Sequence, residues 1–285
     1  MSASQFDLLS TTRRDPQLLQ LPWNTSVNAS SPSPYLLLSY HCERLRDAAE
    51  LHNWPVPRSS SLSALEDLCE AALNDARTGG EDPVPHEHYR VAMFFTGPVS
   101  NAHSKQIRVL LSRTGAVSVT ASPAPPFPIP DPMAPSLWLP SASSPDPPSF
   151  GLDLLAIHLD TVPTPSSVFT RTKTTHRDHY NAARSRFAIP PPPSPSLDEV
   201  VLFNENDDIT ETSIRNLAFV RRSPPRWVTP ATSTGCLPGV VRRWLLGQGR
   251  IVEGDEDELK KDNVIHGEYV LTFNGVEGCR LGRIQ

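Results

Sequence analysis

The chain has 285 residues, of which 38% are hydrophobic and 20% charged, with a formal net charge of -5 at pH 7. This composition is typical of a globular protein with a sizeable core, and it excludes a general basic surface for nucleic acid. The first residues, MSASQFDLLSTTRRDP, contain no basic segment followed by a long apolar run, and no later stretch is long enough to cross a bilayer, so we expect a cytoplasmic protein without a membrane partner.

Helix and strand patterns alternate in the first part of the chain. The predicted elements are a strand at 35–38, a helix at 41–52, a helix that Ser63 and Glu66 open and Gly79 and Gly80 end, a strand at 89–95, and a hairpin of strands at 106–111 and 116–120. Together they predict an N-terminal α/β domain over residues 1–121.

Proline clusters interrupt this pattern, because proline is excluded from helix interiors and central strands. The chain has 31 prolines against 14 glycines. The cluster at 122–148 predicts an extended, partly polyproline-II connection anchored by Phe127, Ile129, Leu137 and Trp138, and we assign residues 122–150 to this insert or linker. The second cluster, at 190–195, predicts a loop.

Helices and strands alternate again in residues 151–285, which we predict to form a C-terminal domain. The predicted elements are strands at 154–159, 199–203 and 214–221, helices at 173–187 and 239–246, and a final strand at 268–274. The whole chain is therefore predicted to be a two-domain α/β or α+β protein.

The cysteines and histidines show no metal-ligand spacing. Cys42, Cys69, Cys236 and Cys279 form no CxxC pair, and the nine histidines form no HExxH motif. We expect reduced cysteines and no metal site.

Five segments in a fixed order carry the functional information. They are HCERL, TKTTHRDHYNAAR, VVLFNENDDITETSIRNLAFVR, TPATSTGCLPGVVRRWL and LTFNGVEGCR, which begin at His41, Thr172, Val200, Thr229 and Leu271. This succession resembles the fold-type IV pyridoxal-phosphate enzymes, the class IV aminotransferase family, which implies a D-amino-acid aminotransferase-like architecture and pyridoxal 5'-phosphate as the cofactor. The form KTTxRxxY looks especially like the aminodeoxychorismate lyases.

The resemblance assigns the two residues at the reactive part of the cofactor. Lys173 matches the lysine that holds the cofactor as a Schiff base, and its amine must be neutral to react or to move a proton. Glu211, within ITETSIRN, matches the acid that keeps the pyridine nitrogen protonated, which lets the ring withdraw electrons. As isolated residues they would be a solvated lysine and an exposed acid.

Phosphate binding is predicted at three places. Arg44, in the HxxRL pattern, matches the phosphate-contacting arginine of the family, and a guanidinium suits a dianion. The segment GCLPGVV opens a helix whose first amides, at Val240 and Val241, are available to an anion. Asn274, in FNGVEG, is a third candidate through its side-chain amide.

Other residues of these motifs carry weaker predictions. Thr11 and Arg13 lie where relatives have a Phe-x-x-x-Glu-Thr-x-Arg type segment near the substrate, but Ser10 stands where the acid is expected. Tyr180 either faces the cofactor or is a core tyrosine, and we favour the core role. Thr229, Pro230 and Arg242 are interpreted as turn and helix-packing residues.

The resemblance leaves the reaction open. The lyase, which makes 4-aminobenzoate and pyruvate from 4-amino-4-deoxychorismate, is favoured over a branched-chain or D-amino-acid transaminase. A catalytically idle relative that only binds ligands is a further alternative, and a scaffold with PPPPSP as a ligand for SH3-like partners is another. The resemblance also implies a homodimer acting on a small amino substrate.

Overall fold

The computed structural model describes residues 6–27, 31–56, 61–78, 104–141 and 146–285. Its first three strands form a small antiparallel sheet in which β1 (Leu8–Arg14) pairs with β2 (Lys105–Leu111) and β2 pairs with β3 (Val117–Pro123). The predicted hairpin is therefore confirmed. The predicted strand at 89–95 lies outside the described residues, as do Gly79 and Gly80.

Two helices cover the small sheet after the short helix α1 (Pro22–Val27). They are α2 (Leu38–Leu51) and α3 (Leu62–Thr78), whose apolar faces pack on the sheet. The shared core consists mainly of Leu8, Tyr35, Leu38, Leu45, Ala49, Leu65, Cys69, Leu73, Ile107, Val109 and Leu111. The predicted helix at 41–52 is thus confirmed, with an earlier start.

Two local predictions in this region are wrong. Residues 35–38 form no strand, because Tyr35 makes only one isolated bridge, to Arg14, and Leu37 adopts a left-handed conformation at the start of α2. In addition, α3 begins at Leu62, and the hydroxyl that accepts a backbone amide there belongs to Ser61, which bonds the Ala64 amide at 3.3 Å. Ser63 does not open this helix.

An eight-stranded mixed sheet forms the larger part of the molecule. In chain order its strands are β4 (Leu155–Leu159), β5 (Asp198–Phe203), β6 (Ile209–Thr212), β7 (Asn216–Arg221), β8 (Arg226–Thr229), β9 (Val252–Glu253), β10 (Tyr269–Asn274) and β11 (Gly278–Ile284). Their order across the sheet is β6-β5-β4-β11-β10-β7-β8-β9, with parallel pairing between β5 and β4, β4 and β11, and β8 and β9. The predicted mixed α/β composition is confirmed, although β11, rather than β10, is the last strand.

Three helices belong to this part of the chain: α4 (Val168–Arg171), α5 (Asp178–Arg186) and α6 (Val240–Gly247). The predicted helix at 173–187 is observed only as α5, which begins at Asp178, whereas α4 lies before the predicted range. The predicted helix at 239–246 is confirmed as α6. Its buried face packs on β10 through Val240, Val241, Trp244 and Leu245.

The Pro-rich insert packs against both sheets. The guanidinium of Arg13, on β1, lies 3.9 Å from the centre of the Phe127 ring, and the Trp138 carbonyl accepts the indole hydrogen of Trp227, on β8, at 2.7 Å. Phe127 and Ile129 are buried, but Leu137 is 65% exposed, so its predicted anchoring role is wrong. The domain boundaries at 121 and 150 stay a prediction.

The small and large sheets are joined next to the segment TKTTHRDHYNAAR, which begins at Thr172. The backbone of residues 173–175 pairs with residues 7–9 at the start of β1, and Arg243, on α6, pairs with Asp47, on α2, at 2.6 Å.

Among the residues described, no helix is both long and apolar enough to cross a membrane.

Candidate active site

Lys173 lies in an extended segment between α4 and α5. Its carbonyl oxygen accepts the amide hydrogen of Leu9 at 2.8 Å, and the next residue, Thr174, makes a bridge to Leu8. On the other side, the Ser167 hydroxyl caps α4 and so fixes the helix that leads into this segment. Lys173 is therefore held by backbone contacts on both sides, at the junction of the two sheets.

The surroundings of Lys173 favour a neutral amine. Part of its surface is accessible, yet protein surrounds it closely enough that burial is the largest cause lowering its pKa, to about 7. Arg177 and Arg44 lower the pKa further, while the Glu211 carboxylate opposes them. A lysine with this pKa is substantially unprotonated near neutral pH, as required of a nucleophile or base.

Glu211 lies on β6 with only 4% of its surface exposed. Its Oε1 accepts the Tyr180 hydroxyl hydrogen at 2.6 Å, and its Oε2 lies 3.5 Å from Nδ2 of Asn216. Burial raises the pKa of Glu211 to about 7, and the Tyr180 hydrogen bond, Lys173 and Arg177 oppose this rise. A further cation beside Glu211 would therefore lower its pKa and leave the acid fully ionised.

Tyr180, on α5, bonds Glu211, and Arg177, just before α5, packs on the Tyr180 ring. The Arg177 guanidinium lies 4.7 Å from the centre of the Tyr180 ring and donates to the Ser213 carbonyl at 2.6 Å. Tyr180 is buried, as expected of a core tyrosine, but its hydroxyl is directed at a predicted site residue. It therefore belongs to the site as well as to the core.

Arg44 lies on the buried face of α2 and reaches Ser10 on β1. Its Nη2 donates to Ser10 Oγ at 2.8 Å, and the same Oγ lies 2.8 Å from Nδ1 of His41. All three residues are buried, and burial followed by the charge of Arg243 lowers the pKa of Arg44 to about 9. A cationic group with little solvent around it is suited to bind an anion.

The start of α6 lies close to this cation, because Arg243 of α6 and Asp47 of α2 form an ion pair. Gly239 precedes the helix without any side-chain cap, so the amides of Val240 and Val241 have no partner within the helix. Gly239 leaves room for Asn216, because a Cβ at position 239 would lie 2.0 Å from Oδ1 of Asn216. The predicted anion-binding amides therefore lie at a helix N-terminus next to Asn216.

Asn274 shapes the turn between β10 and β11. Its Oδ1 accepts the amides of Val276 and Glu277 at 2.9 and 2.8 Å. Within this turn, a Cβ on Gly275 would lie 2.8 Å from the His41 ring and 2.9 Å from the Val240 side chain. The turn therefore meets both α2 and α6, and direct phosphate binding by Asn274 stays a prediction.

Of the weaker candidates, Arg242, Thr229 and Arg13 are packing residues, and Thr11 is the one whose role the structure leaves as a prediction. Arg242 donates to the Pro230 carbonyl at 2.7 Å and Thr229 to the Leu217 carbonyl at 2.8 Å, which supports their packing roles. Arg13 forms a buried ion pair with Asp15. Thr11 lies on the face of β1 opposite to Ser10, since strand side chains alternate, and its substrate role stays a prediction.

Three further residues lie in the site without having been predicted from the sequence: His41, Asn216 and Arg177. Each lies within a quoted motif, at the first position of HxxRL, at the end of ITETSIRN and in KTTHR. Their position in these motifs was the available signal. Of their partners, Ser10 lies 31 residues from His41, whereas Glu211 lies five residues from Asn216 and Lys173, whose pKa Arg177 lowers, lies four residues from Arg177.

Comparisons with known proteins match almost the whole chain. The family described as "Amino-transferase class IV" matches residues 25–281. The aminodeoxychorismate lyase of Saccharomyces cerevisiae is 31% identical over 273 residues, covering 88% of this chain and 68% of the yeast protein.

Solved structures share the fold at lower identity. A fold IV transaminase from Curtobacterium pusillum superimposes with a TM-score of 0.58 at 14% identity, covering 98% of this chain and 78% of the transaminase. A hypothetical aminotransferase from Mycobacterium tuberculosis, in its PLP-bound form, has a TM-score of 0.59 at 13% identity, covering 98% and 81% of the two chains. Because these identities are low, the two similarities concern the fold alone.

Proposed function

The chain belongs to the class IV aminotransferase family, and on that premise we propose that it is a pyridoxal-phosphate lyase converting 4-amino-4-deoxychorismate into 4-aminobenzoate and pyruvate. One observation carries the proposal: Lys173 has a lowered pKa and lies close enough to Glu211 and Arg44 for both charges to affect that pKa. The predicted fold-type IV architecture is confirmed by the same comparisons.

The residues present fit both the phosphate and the pyridine nitrogen of pyridoxal phosphate. At the predicted phosphate end, beside the uncapped amides of α6, Arg44 Nε and His41 Nε2 are buried and have no hydrogen-bond partner in the described part of the chain. Buried donors without partners are costly in folded proteins, so an anion here would satisfy them. At the predicted pyridine end, Glu211 supplies the carboxylate that a protonated nitrogen requires.

When bound, pyridoxal phosphate supplies an electron sink that stabilises negative charge at the substrate carbon attached to nitrogen. Lys173 would hold the cofactor, and its free amine would take the ring proton from that carbon. It would then return a proton to the departing enolpyruvyl group, which leaves as pyruvate while the ring becomes aromatic. A pKa of about 7 suits both transfers, since a group that titrates near the working pH serves as base and as acid.

Glu211 supplies a buried acid at the opposite end of the site. Its 4% exposure excludes water, and the Tyr180 hydroxyl fixes Oε1. A charged partner at Oε2 would shift the acid to its ionised form, because an opposite charge favours ionisation. The chain therefore provides an ordered acid whose charge depends on what binds beside it.

The choice of lyase over transaminase is supported by the extent of the similarity to the yeast lyase, 88% of this chain. The lysine and acid described above serve both reactions, so substrate dependence must separate them. Purified protein should release 4-aminobenzoate and pyruvate from aminodeoxychorismate in the absence of any keto acid. Turnover only with both an amino donor and a keto acid would instead identify a transaminase.

We also propose a homodimer in the cytoplasm. The four cysteines are all free and buried, which agrees with a reducing compartment. Light scattering of the purified protein would test the dimer, and cell fractionation would test the location.

A further inference from the structure

Ser10, His41 and Arg44 form a buried hydrogen-bond chain at the predicted phosphate end of the site. Arg44 Nη2 lies 2.8 Å from Ser10 Oγ, and Ser10 Oγ lies 2.8 Å from His41 Nδ1. The exposed fractions of the three residues are 0, 1 and 6% for Ser10, His41 and Arg44. Solvent therefore does not determine where their hydrogens point.

The direction of each bond in this chain follows from donor chemistry. A guanidinium can only donate, so Ser10 Oγ accepts from Arg44. A serine oxygen can accept two hydrogen bonds, so the Arg44 bond alone does not fix the direction of the bond between Ser10 and His41. Arg44 Nη2 is also 3.4 Å from Nδ1 of His41, and because a guanidinium cannot accept, Nδ1 is the acceptor and takes the Ser10 hydrogen as well. A neutral His41 therefore carries its hydrogen on Nε2.

Among the residues that the structure describes, the Nε2 hydrogen of His41 has no hydrogen-bond acceptor. This nitrogen faces the turn that follows β10, since it lies 3.0 Å from where a Cβ on Gly275 would stand, and the same Cβ would lie 2.9 Å from Val240. Gly275 thus leaves space between the His41 ring and the start of α6. An unpaired buried donor is directed toward the region of the uncapped helix amides.

The electrostatic surroundings keep the ring neutral. Burial is the largest cause lowering the pKa of His41 well below its usual value, the charges of Arg44 and Lys173 lower it further, and the Leu36 backbone opposes them. His41 would therefore act as an uncharged donor, while the positive charge at this end comes from Arg44.

Ser10 determines this arrangement. A carboxylate at position 10 could only accept, so Nδ1 of His41 would have to carry a hydrogen, and the acid would compete with a ligand for Arg44. With serine at this position, both Arg44 and the Nε2 hydrogen of His41 remain directed to a bound anion.

We infer that His41 is a binding residue for the phosphate of the cofactor, donating its Nε2 hydrogen to a phosphate oxygen in a tautomer that Ser10 fixes. This inference rests on the proposed function, because it takes pyridoxal phosphate as the occupant of the site. It adds a neutral donor to the cation of Arg44 and the amides of α6.

Binding titrations of the full chain with pyridoxal phosphate and with pyridoxal, which lacks the phosphate, test the inference. Replacing His41→Leu should weaken pyridoxal-phosphate binding by roughly tenfold to a hundredfold, as for loss of a hydrogen bond to a charged group, and change pyridoxal binding by less than about twofold. His41→Gln, which restores a donor near the Nε2 position, should recover most of the affinity. The matched control is His158→Gln, because His158 pairs with Asp198 away from this site.

A measurement on the unaltered chain keeps the inference testable if His41→Leu fails to fold. Nitrogen-15 NMR of the histidine rings should show His41 as the neutral tautomer with hydrogen on Nε2, identified by its absence from the His41→Gln spectrum, and pyridoxal phosphate should shift that N–H signal. A hydrogen on Nδ1, or equal losses of affinity for both ligands, would overturn the inference alone. Absence of any pyridoxal-phosphate binding by the unaltered chain would overturn the proposed function.

Discussion

Tyr180 donates its hydroxyl hydrogen to Oε1 of Glu211 at 2.6 Å, in a buried setting that joins α5 to β6. This bond opposes the effect of burial on the acid, whose pKa is about 7. The second oxygen, Oε2, has a long contact with Asn216 at 3.5 Å. One oxygen of the acid is thus fixed by the protein, while the other is available to a ligand.

Replacing Tyr180→Phe should destabilise the protein at alkaline pH more than at acid pH. The pKa of Glu211 in the folded state lies above its ordinary value of 4.5, so its contribution to stability falls as pH rises from about 4.5 to 7. Without the phenol, the charged acid loses a buried donor, which costs about 1 to 3 kcal/mol. Urea unfolding at pH 5 and pH 8 would measure this, and a loss independent of pH would contradict it. Tyr269→Phe, whose hydroxyl bonds Asp146 at the surface, is the control.

Replacing Glu211→Gln should retain cofactor binding but lower kcat at least about a hundredfold. An amide cannot balance the charge of a protonated pyridine nitrogen, and loss of a preorganised electrostatic contact typically has an effect of this size. Pyruvate release, with the cofactor band recorded in parallel, measures both quantities. Glu205→Gln, in the exposed turn before β6, should have full activity. An active Glu211→Gln enzyme would exclude the assigned role.

The reaction of Lys173 with pyridoxal phosphate should depend on pH with a midpoint near 7. Only the unprotonated amine reacts, so the rate should increase about tenfold per pH unit below the pKa of about 7 and level off above it. Arg177→Gln should move the midpoint upward, because Arg177 is the second cause, after burial, that lowers this pKa. Stopped-flow absorbance on cofactor-depleted protein provides the profile. A midpoint near the ordinary lysine value of 10.5 would contradict this prediction.

Gly239→Ala, just before α6, should weaken cofactor binding, whereas Gly247→Ala, at the end of α6, should not. A Cβ at position 239 would lie 2.0 Å from Asn216 Oδ1, so Asn216 or the start of α6 must move, at a cost of about 1 to 3 kcal/mol. A Cβ at position 247 would meet no atom of the described residues within 4 Å, and alanine there should stabilise the helix by about 0.5 to 1 kcal/mol. Thermal unfolding and cofactor titration of both variants would measure these effects. Equal behaviour of the two would contradict the close contact with Asn216.

The family and the mixed α/β fold could be predicted because local signals mark them. The strands at 106–111 and 199–203 are apolar, β-rich runs, and the hairpin turn at 112–115 contains a glycine, so short-range pattern is sufficient. The five ordered motifs then identified the family. Lys173, Glu211, Arg44 and the start of α6 all belong to those motifs.

Other features could not be predicted because distant contacts decide them. Lys173 lies outside α5 because its backbone pairs with Leu9, whereas the local pattern favours a longer helix. Strand β1 includes the charged residue Arg13. Its burial depends on two contacts, an ion pair with Asp15 and the packing of its guanidinium on the Phe127 ring. The role of His41 similarly depends on Ser10 and Gly275, which no sequence spacing brings together.

Borohydride treatment of the purified protein with pyridoxal phosphate, followed by peptide mapping, tests the central assignment most directly. Of the four lysines in the chain, only Lys173 lies in the site, so the fixed adduct should map to Lys173 and disappear in Lys173→Ala together with the visible absorption band. The other three, Lys105, Lys260 and Lys261, serve as internal controls. A colourless protein, or an adduct distributed over those three lysines, would contradict the assignment of Lys173 and the enzyme built around it.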